Sequence, residues 1–315
     1  MKQLFSGLYS GAAGDHLAWS ATRRVLRIVA YHGVCADHVA RERWIPPFFV
    51  SRTAFDQQIA YLCRHATILP LSEAVVRLAQ NDLPDHAVSV TFDDGYANNL
   101  HVAYPILRKY RVPATVYLAT AYVSSGELFP FDRVQLMSAA RERCGLVPYE
   151  TLVDYRHSPI DVVFERLKHY WRELQLSVSD EQYETLRPLR PEETQEFDSD
   201  IVDFGAHTHN HCILANESPQ RRTWEIRESI AHASALAGRA VTSFSYPSGQ
   251  PGDFGDHDKH ALRSAGVEVA VTTSAGANAG GCDALELRRY SIGLTHTPPA
   301  FAAEVTGMRA GLAGV

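Results

Sequence analysis

Seven short apolar runs, set apart by helical stretches, put the tightest limit on what this chain can fold into. They lie at 25–34 (VLRIVAYHGV), 87–92 (AVSVTF), 113–120 (PATVYLAT), 202–206 (VDFGA), 240–249 (AVTSFSYPSG), 267–273 (VEVAVTT) and 285–293 (LELRRYSIG). Most are rich in β-branched or aromatic residues, as strands buried on both faces are. Helical periodicity falls between them. Phe55, Ile59 and Leu62 recur at helical spacing, and a second helix starts at Ser72 with Val75, Val76 and Leu78. Residues 98–112 read as a helix with an internal Pro105, and further helices are predicted at about 218–236 and 259–266. Strands alternating with helices imply parallel pairing through right-handed crossovers.

The alternation stops between about 124 and 199. That region is charged and mostly helical, most clearly at 163–174 (VFERLKHYWREL), and has no long apolar strand. It reads as a helical insertion. Residues 1–24 are expected to form an N-terminal helical segment and 25–315 the main domain. The candidate reactive groups fall at the C-terminal ends of strands, where α/β barrels carry their active sites. The expected fold is therefore α/β: a distorted or incomplete (β/α) barrel of about seven parallel strands with a helical insertion.

The second run ends in two adjacent carboxylates, Asp93 and Asp94, followed by Gly95. Neighbouring side chains on a strand point to opposite faces. Continuing the strand would put one aspartate in an apolar layer, where an unpaired charge is costly. Either the chain turns, which Gly95 allows, or a cation takes the charge. On its own, the triplet is most simply a solvated Asp-Gly turn.

Residues 207–211 (HTHNH) hold three histidines. On a helical turn, His207 and His211 would share a face and grip one metal ion, with His209 turned away. In an extended chain all three would share a face and any two could bind. A polar loop is the plain alternative. Two histidines with one carboxylate form a facial set that leaves open positions on a metal. Catalytic zinc often has that set plus water. The aspartate pair can then divide its labour, one binding the ion and one accepting a proton from water.

Together, T-F-D-D-G-Y at a strand end and H-T-x-x-H after a later strand resemble the first two motifs of the polysaccharide deacetylases. These form the NodB-homology domain of carbohydrate esterase family 4, and the shared pattern runs from about residue 25 to 292. The resemblance implies a distorted (β/α) barrel and metal-dependent hydrolysis of an N- or O-acyl group on a sugar. It also implies that Asp93 is the general base, that Asp94, His207 and His211 are metal ligands, and that Thr208 supports the loop. His209 and Asn210 fall on variable positions. The expected cation is zinc, with cobalt, nickel or manganese as alternatives.

The family's third motif, R-x-P followed by an aromatic, is altered to Ser245, Tyr246, Pro247 and Ser248. Tyr246, Pro247 and Ser248 are expected on the substrate side. The Ser248 N–H could donate to the developing oxyanion, a role that needs no particular side chain. The missing arginine normally orients the base, and Arg289 is the candidate substitute. The late L-x-H motif, which supplies a histidine acid, matches Leu294, Thr295 and His296 by letter. His32, ending the first run, competes with His296 for that role. Cys212 reads as a packing thiol, and Asp253 as a turn residue able to touch substrate.

Composition narrows the function class. A formal net charge of −6, from 30 basic and 36 acidic residues, argues against a general nucleic-acid binder. Five cysteines without a C-x-x-C pair argue against a disulfide framework and favour a reducing compartment. Ser6, Gly7, Ser10, Gly11 and Asp15 break the apolar character of the N-terminus, which makes a poor secretory signal. No run reaches the length of a membrane span. The expected location is cytoplasmic or membrane-peripheral, with residues 4–26 able to touch a membrane surface as an amphipathic helix. The expected function is deacetylation of an N-acetylated (or O-acetylated) polysaccharide, oligosaccharide or glycan precursor, an exopolysaccharide among them. The alternatives are a deformylase or amidase on a lipid-linked sugar or small C–N substrate, and an inactive carbohydrate-binding protein.

Overall fold

Strand β1 (Arg27–Tyr31) is buried along its whole length. In this computed structural model Trp19 and residues 24–142 and 153–307 are described, so the helical segment expected at 1–24 lies almost wholly outside the described residues, as does Cys144. A small parallel pair follows, β2 (Val34–Cys35) with β3 (Val50–Ser51). Helix α1 (Arg52–His65) is capped by Ser51, whose hydroxyl accepts from the Ala54 N–H, and it buries Phe55, Ile59 and Leu62 as their spacing predicts. Short β4 (Thr67–Ile68) and α2 (Leu71–Ala79) lead into β5 (Ala87–Phe92), which is buried throughout.

The helix expected to carry Pro105 is divided. A π-helical turn, Asn99–Ala103, precedes α3 (Tyr104–Tyr110). Proline has no N–H to donate and its ring crowds the carbonyl four residues back. The wider turn just upstream takes up that misfit, and Pro105 falls in the first turn of α3. After β6 (Ala114–Leu118) comes the insertion, helical as expected. Among the described residues, α4 (Thr120–Ser125) leads into it, and α5 (Pro130–Glu142), α6 (Ile160–Leu174) and α7 (Asp180–Leu186) lie within it. The alternation resumes with β7 (Val202–Ala206), α8 (Pro219–Ala237), β8 (Ser243–Ser245), α9 (Asp256–Ser264), β9 (Val269–Val271), β10 (Tyr290–Ser291) and α10 (Pro298–Val305).

The strands pair in parallel in the order β10–β1–β5–β6–β7–β8–β9, with β4 joining the start of β5. The seven strands curl into a half-barrel, the distorted (β/α) barrel expected. The run at 285–293 pairs with β1 only over Tyr290–Ser291, because its upstream part crosses to β9, where Leu287 bridges Val271. That crossing brings the two edges of the sheet toward closure.

Strand alternation divides the core into two layers. Val88, Val90 and Phe92 pack with Phe55, Ile59 and Leu62 of α1. Ala87 packs with Ile28, Tyr117, Val271 and Leu287 inside the barrel. Each buried Val, Ile, Leu or Phe among them contributes roughly 1.5–3 kcal/mol by leaving water. Gly205 makes room for Tyr117, since a Cβ there would lie 2.3 Å from its ring. No helix among the described residues is long and apolar enough to cross a membrane.

Candidate active site

The barrel's C-terminal rim is where β5 ends. The Asp93 N–H still donates to the Tyr31 carbonyl at 2.9 Å, so Asp93 prolongs the strand. The chain then reverses through two left-handed residues, Asp94 (φ +73°) and Gly95 (φ +83°). For a non-glycine residue such as Asp94 this costs roughly 1–2 kcal/mol, a strain that clusters at functional sites. The turn separates the two carboxylates. Asp93 stays on the barrel's inner face and Asp94 swings toward β7.

Arg289 holds Asp93. Its Nη1 donates to Oδ1 at 2.8 Å and its Nη2 to Oδ2 at 2.6 Å, with both residues buried. The same guanidinium donates to the Thr272 carbonyl, the Thr91 hydroxyl and the Ser245 hydroxyl. Ser245 is the position where the third motif would carry its own arginine. The small serine leaves room for Arg289 to arrive from the far edge of the sheet and gives it an acceptor. Burial opposes a charge on Asp93, but Arg289 first and the His207 ring second outweigh it, lowering its pKa from 3.8 to about 2. A carboxylate held below its unfolded value stabilises the fold above that value. This contribution is lost as pH falls from 3.8 through about 2.

Asp94 faces the histidines. Its Oδ1 lies 3.4 Å from His207 Nε2 and 3.0 Å from His211 Nε2. The two Nε2 atoms are 3.1 Å apart. His207 follows β7 directly, its N–H donating to the Leu118 carbonyl at 3.0 Å. The chain then curves through Thr208 (φ +56°) and His211 (φ +54°). It is neither the helical turn nor the extended chain weighed above. The curve brings His207 and His211 together and turns His209 away to Thr120 Oγ1, at 2.8 Å.

Proton bookkeeping shows what this cluster lacks. His207 Nδ1 lies 2.6 Å from the Ser245 carbonyl, which can only accept, so Nδ1 carries the hydrogen and Nε2 a lone pair. Tyr155 donates its hydroxyl to the His211 carbonyl and so receives the His211 Nδ1–H, leaving that Nε2 with a lone pair too. Both Asp94 oxygens are buried with no donor in line. Three electron-rich atoms thus face one point. Metal–ligand bonds of about 2.0–2.1 Å at tetrahedral angles put ligand atoms about 3.3 Å apart. The donor set and its spacing fit one divalent cation, and these three residues form the buried cluster of ligating groups among the described residues. Burial opposes a proton on His207, but the Asp94 and Asp93 carboxylates raise its proton affinity, so proton and cation compete for one lone pair.

His32 is the histidine set beside Asp93, its Nε2 3.9 Å from Oδ2. Burial lowers its proton affinity, while the Asp94 and Asp93 carboxylates pull the other way. His296 is tied into the turn after β10, its Nδ1 3.0 Å from the Gly293 nitrogen and its carbonyl accepting from Gln58 Nε2. Tyr246 requires a correction. Its hydroxyl donates to the Leu285 carbonyl at 3.1 Å and its ring stacks on Phe254, so the side chain is spent on the core rather than on substrate. Pro247 and Ser248 form the bend, with Ser248 left-handed (φ +61°) and its hydroxyl bonded by Arg156. Thr208 does not brace the loop by hydrogen bonding. Its buried hydroxyl has no partner among the described residues. Asp253 is a turn residue, accepting from the Gln250 N–H at 2.8 Å, and Cys212 is buried in the core.

Tyr155 and Glu225 were not foreseen in the sequence. Tyr155 also lines a cavity of about 750 Å³ with Phe48, Phe131, Val134 and Arg156. Phe48 packs against the His32 ring and Phe131 against the His211 ring, so the cavity opens beside the cluster.

A family model described as polysaccharide deacetylase matches residues 80–270. Over 300 residues the chain is 22% identical to a putative polysaccharide deacetylase, YxkH, of Bacillus subtilis, spanning 94% of this chain and 82% of that one. It is 30% identical over 116 residues to the poly-beta-1,6-N-acetyl-D-glucosamine N-deacetylase of Staphylococcus aureus, a match that spans 36% of this chain and 40% of that enzyme. Its fold is similar to that of the Streptococcus pyogenes deacetylase PplD in complex with acetate, with a TM-score of 0.62 at 21% identity, covering 90% of this chain and 99% of the other.

Proposed function

This chain belongs to the polysaccharide deacetylase family, and on that premise we propose that it hydrolyses the acyl–nitrogen bond of an N-acetylated glycan at the Asp93–Asp94–His207–His211 centre. The observation that carries the reading is the convergence of two imidazole lone pairs and a donorless carboxylate beside a second, separately held aspartate. Asp94, His207 and His211 would hold a divalent ion, with zinc as the first candidate. Such an ion, when bound, acidifies water and polarises a carbonyl.

The chain's own groups do the rest. Asp93 accepts the proton of the attacking water. Its low proton affinity keeps it ionised at neutral pH but also makes it a weak base. It can hold that proton only briefly, which suits delivery to the nearby His32. His32 then protonates the leaving amine. The Ser248 N–H is proposed to meet the developing oxyanion. The cavity beside the centre is proposed to take the sugar ring against Phe48, Phe131 and Tyr155. Arg289 supplies the guanidinium missing from the third motif, which weakens the case for an inactive scaffold.

The test is acetate release from N-acetylated oligosaccharides, with β-1,6- and β-1,4-linked N-acetylglucosamine oligomers compared. His32→Ala is expected to lower kcat by ~10²-fold or more, the typical worth of an acid–base group. His296→Ala is expected to stay near the unmodified rate. The reverse ranking would transfer the acid role to His296.

A further inference from the structure

We propose that Glu225 is a positioning residue that sets how tightly the 207–211 loop binds its cation. The proposal rests on the metal reading above and concerns a side chain that touches neither ion nor substrate. Glu225 lies on α8 with its side chain wholly buried. Its Oε2 accepts from two consecutive backbone N–H groups, His209 at 2.9 Å and Asn210 at 2.8 Å. Its Oε1 accepts from Asn210 Nδ2 at 2.8 Å and from Arg221 Nε at 3.0 Å.

A carboxylate has about four lone-pair sites, and here four donors address them. Bonds from N–H groups to an ionised acceptor are the strong kind. Three of the four donors belong to His209 and Asn210, between the two histidines proposed as ligands. The loop there is bent through two left-handed non-glycine residues, Thr208 and His211. The Thr208 hydroxyl contributes no hydrogen bond to that bend. The loop carbonyls are met by the Ala121 N–H at His209 and by the Tyr122 hydroxyl at Asn210, and among the described residues Glu225 alone gathers the His209 and Asn210 N–H groups. Successive N–H groups converging on one oxygen form an anion-binding concavity, and α8 fills it with its own anion. The result is a loop whose curvature, and so the meeting of His207 and His211, is fixed before any cation arrives. Arg221 partly balances the buried charge from its own helix.

The carboxylate is required by this geometry, not merely a polar group of its size. In Glu225→Gln the amide must turn its NH2 toward either the two loop N–H groups or the Asn210 and Arg221 donors. Either orientation sets donor against donor.

The experiment is a titration of the metal-free protein with Zn(II) and with Co(II), whose absorption spectrum reports ligand geometry, for the unmodified chain and Glu225→Gln. We expect affinity to fall by ~10- to 100-fold, as for other outer partners of metal ligands, with an altered Co(II) spectrum. A variant that loses thermal stability but binds both ions with unchanged affinity and spectrum would overturn the proposal, since a purely structural role predicts that result. Should the variant not fold, amide exchange in the metal-free unmodified protein decides. The His209 and Asn210 amides are expected to exchange slowly, and fast exchange would overturn the proposal. An unmodified chain that binds neither ion would sink the metal reading itself, and this one with it.

Discussion

Replacing Asp93 by asparagine is expected to lower kcat for acyl hydrolysis by roughly 10²–10⁴-fold, the usual contribution of a general base, while the chain still binds its divalent ion. Asparagine keeps the shape of the side chain but cannot take a proton. Asp93 is hydrogen-bonded by Arg289 and by neither His207 nor His211, so its replacement leaves Asp94, His207 and His211 in place. The substitution also takes the counter-charge from a fully buried guanidinium, which keeps its bonds to Thr272, Thr91 and Ser245. Breaking a buried ion pair costs about 3–5 kcal/mol, so the variant must first be checked by circular dichroism and urea unfolding. Steady-state kinetics on the folded fraction, with acetate release as the readout, then measures the effect. Full activity in folded Asp93→Asn would remove Asp93 from the chemistry.

His207→Ala is expected to act on the other half of the site. It removes one of the three proposed ligands and frees the Ser245 carbonyl that orients it. The loss in ion affinity should exceed the ~10- to 100-fold typical of losing an outer partner, and hydrolysis should fall to background. Calorimetric titration measures the affinity. Because His207 lies at a strand end, pinned by its own N–H to Leu118, alanine there should leave the loop's path intact. Retention of the unmodified affinity in His207→Ala would mean that the ion, if any, sits elsewhere.

Much of this site was legible in the sequence because its chemistry is local. Asp93, Asp94 and Gly95 are consecutive, and His207 and His211 are four apart, so two short motifs carry the proposed base and the three proposed ligands. The strand–helix alternation made the barrel legible for the same reason. Arg289 could be inferred only by default, from an arginine missing at Ser245, since nothing near 289 in the chain points to Asp93. Whether 207–211 was helical or extended was not decidable, because two left-handed residues that are not glycine leave no mark in composition. Tyr246 misled for a related reason. The motif gives the residue but not the rotamer, and the hydroxyl found an acceptor in the core. Glu225 and Tyr155 were out of reach. Each meets the loop through a fold-dependent contact, and Glu225 is one of 36 acidic residues with nothing in its neighbours to single it out.

One arrangement is central: Asp94, His207 and His211 are proposed to surround a single divalent ion, with Asp93 beside it and unligated. Elemental analysis of the unmodified chain, Asp93→Asn and His207→Ala, dialysed together against the same trace of Zn(II), tests it most directly. One ion per chain is expected in the first two and none in the third. Equal ion content in all three, or loss of the ion in folded Asp93→Asn, would contradict it.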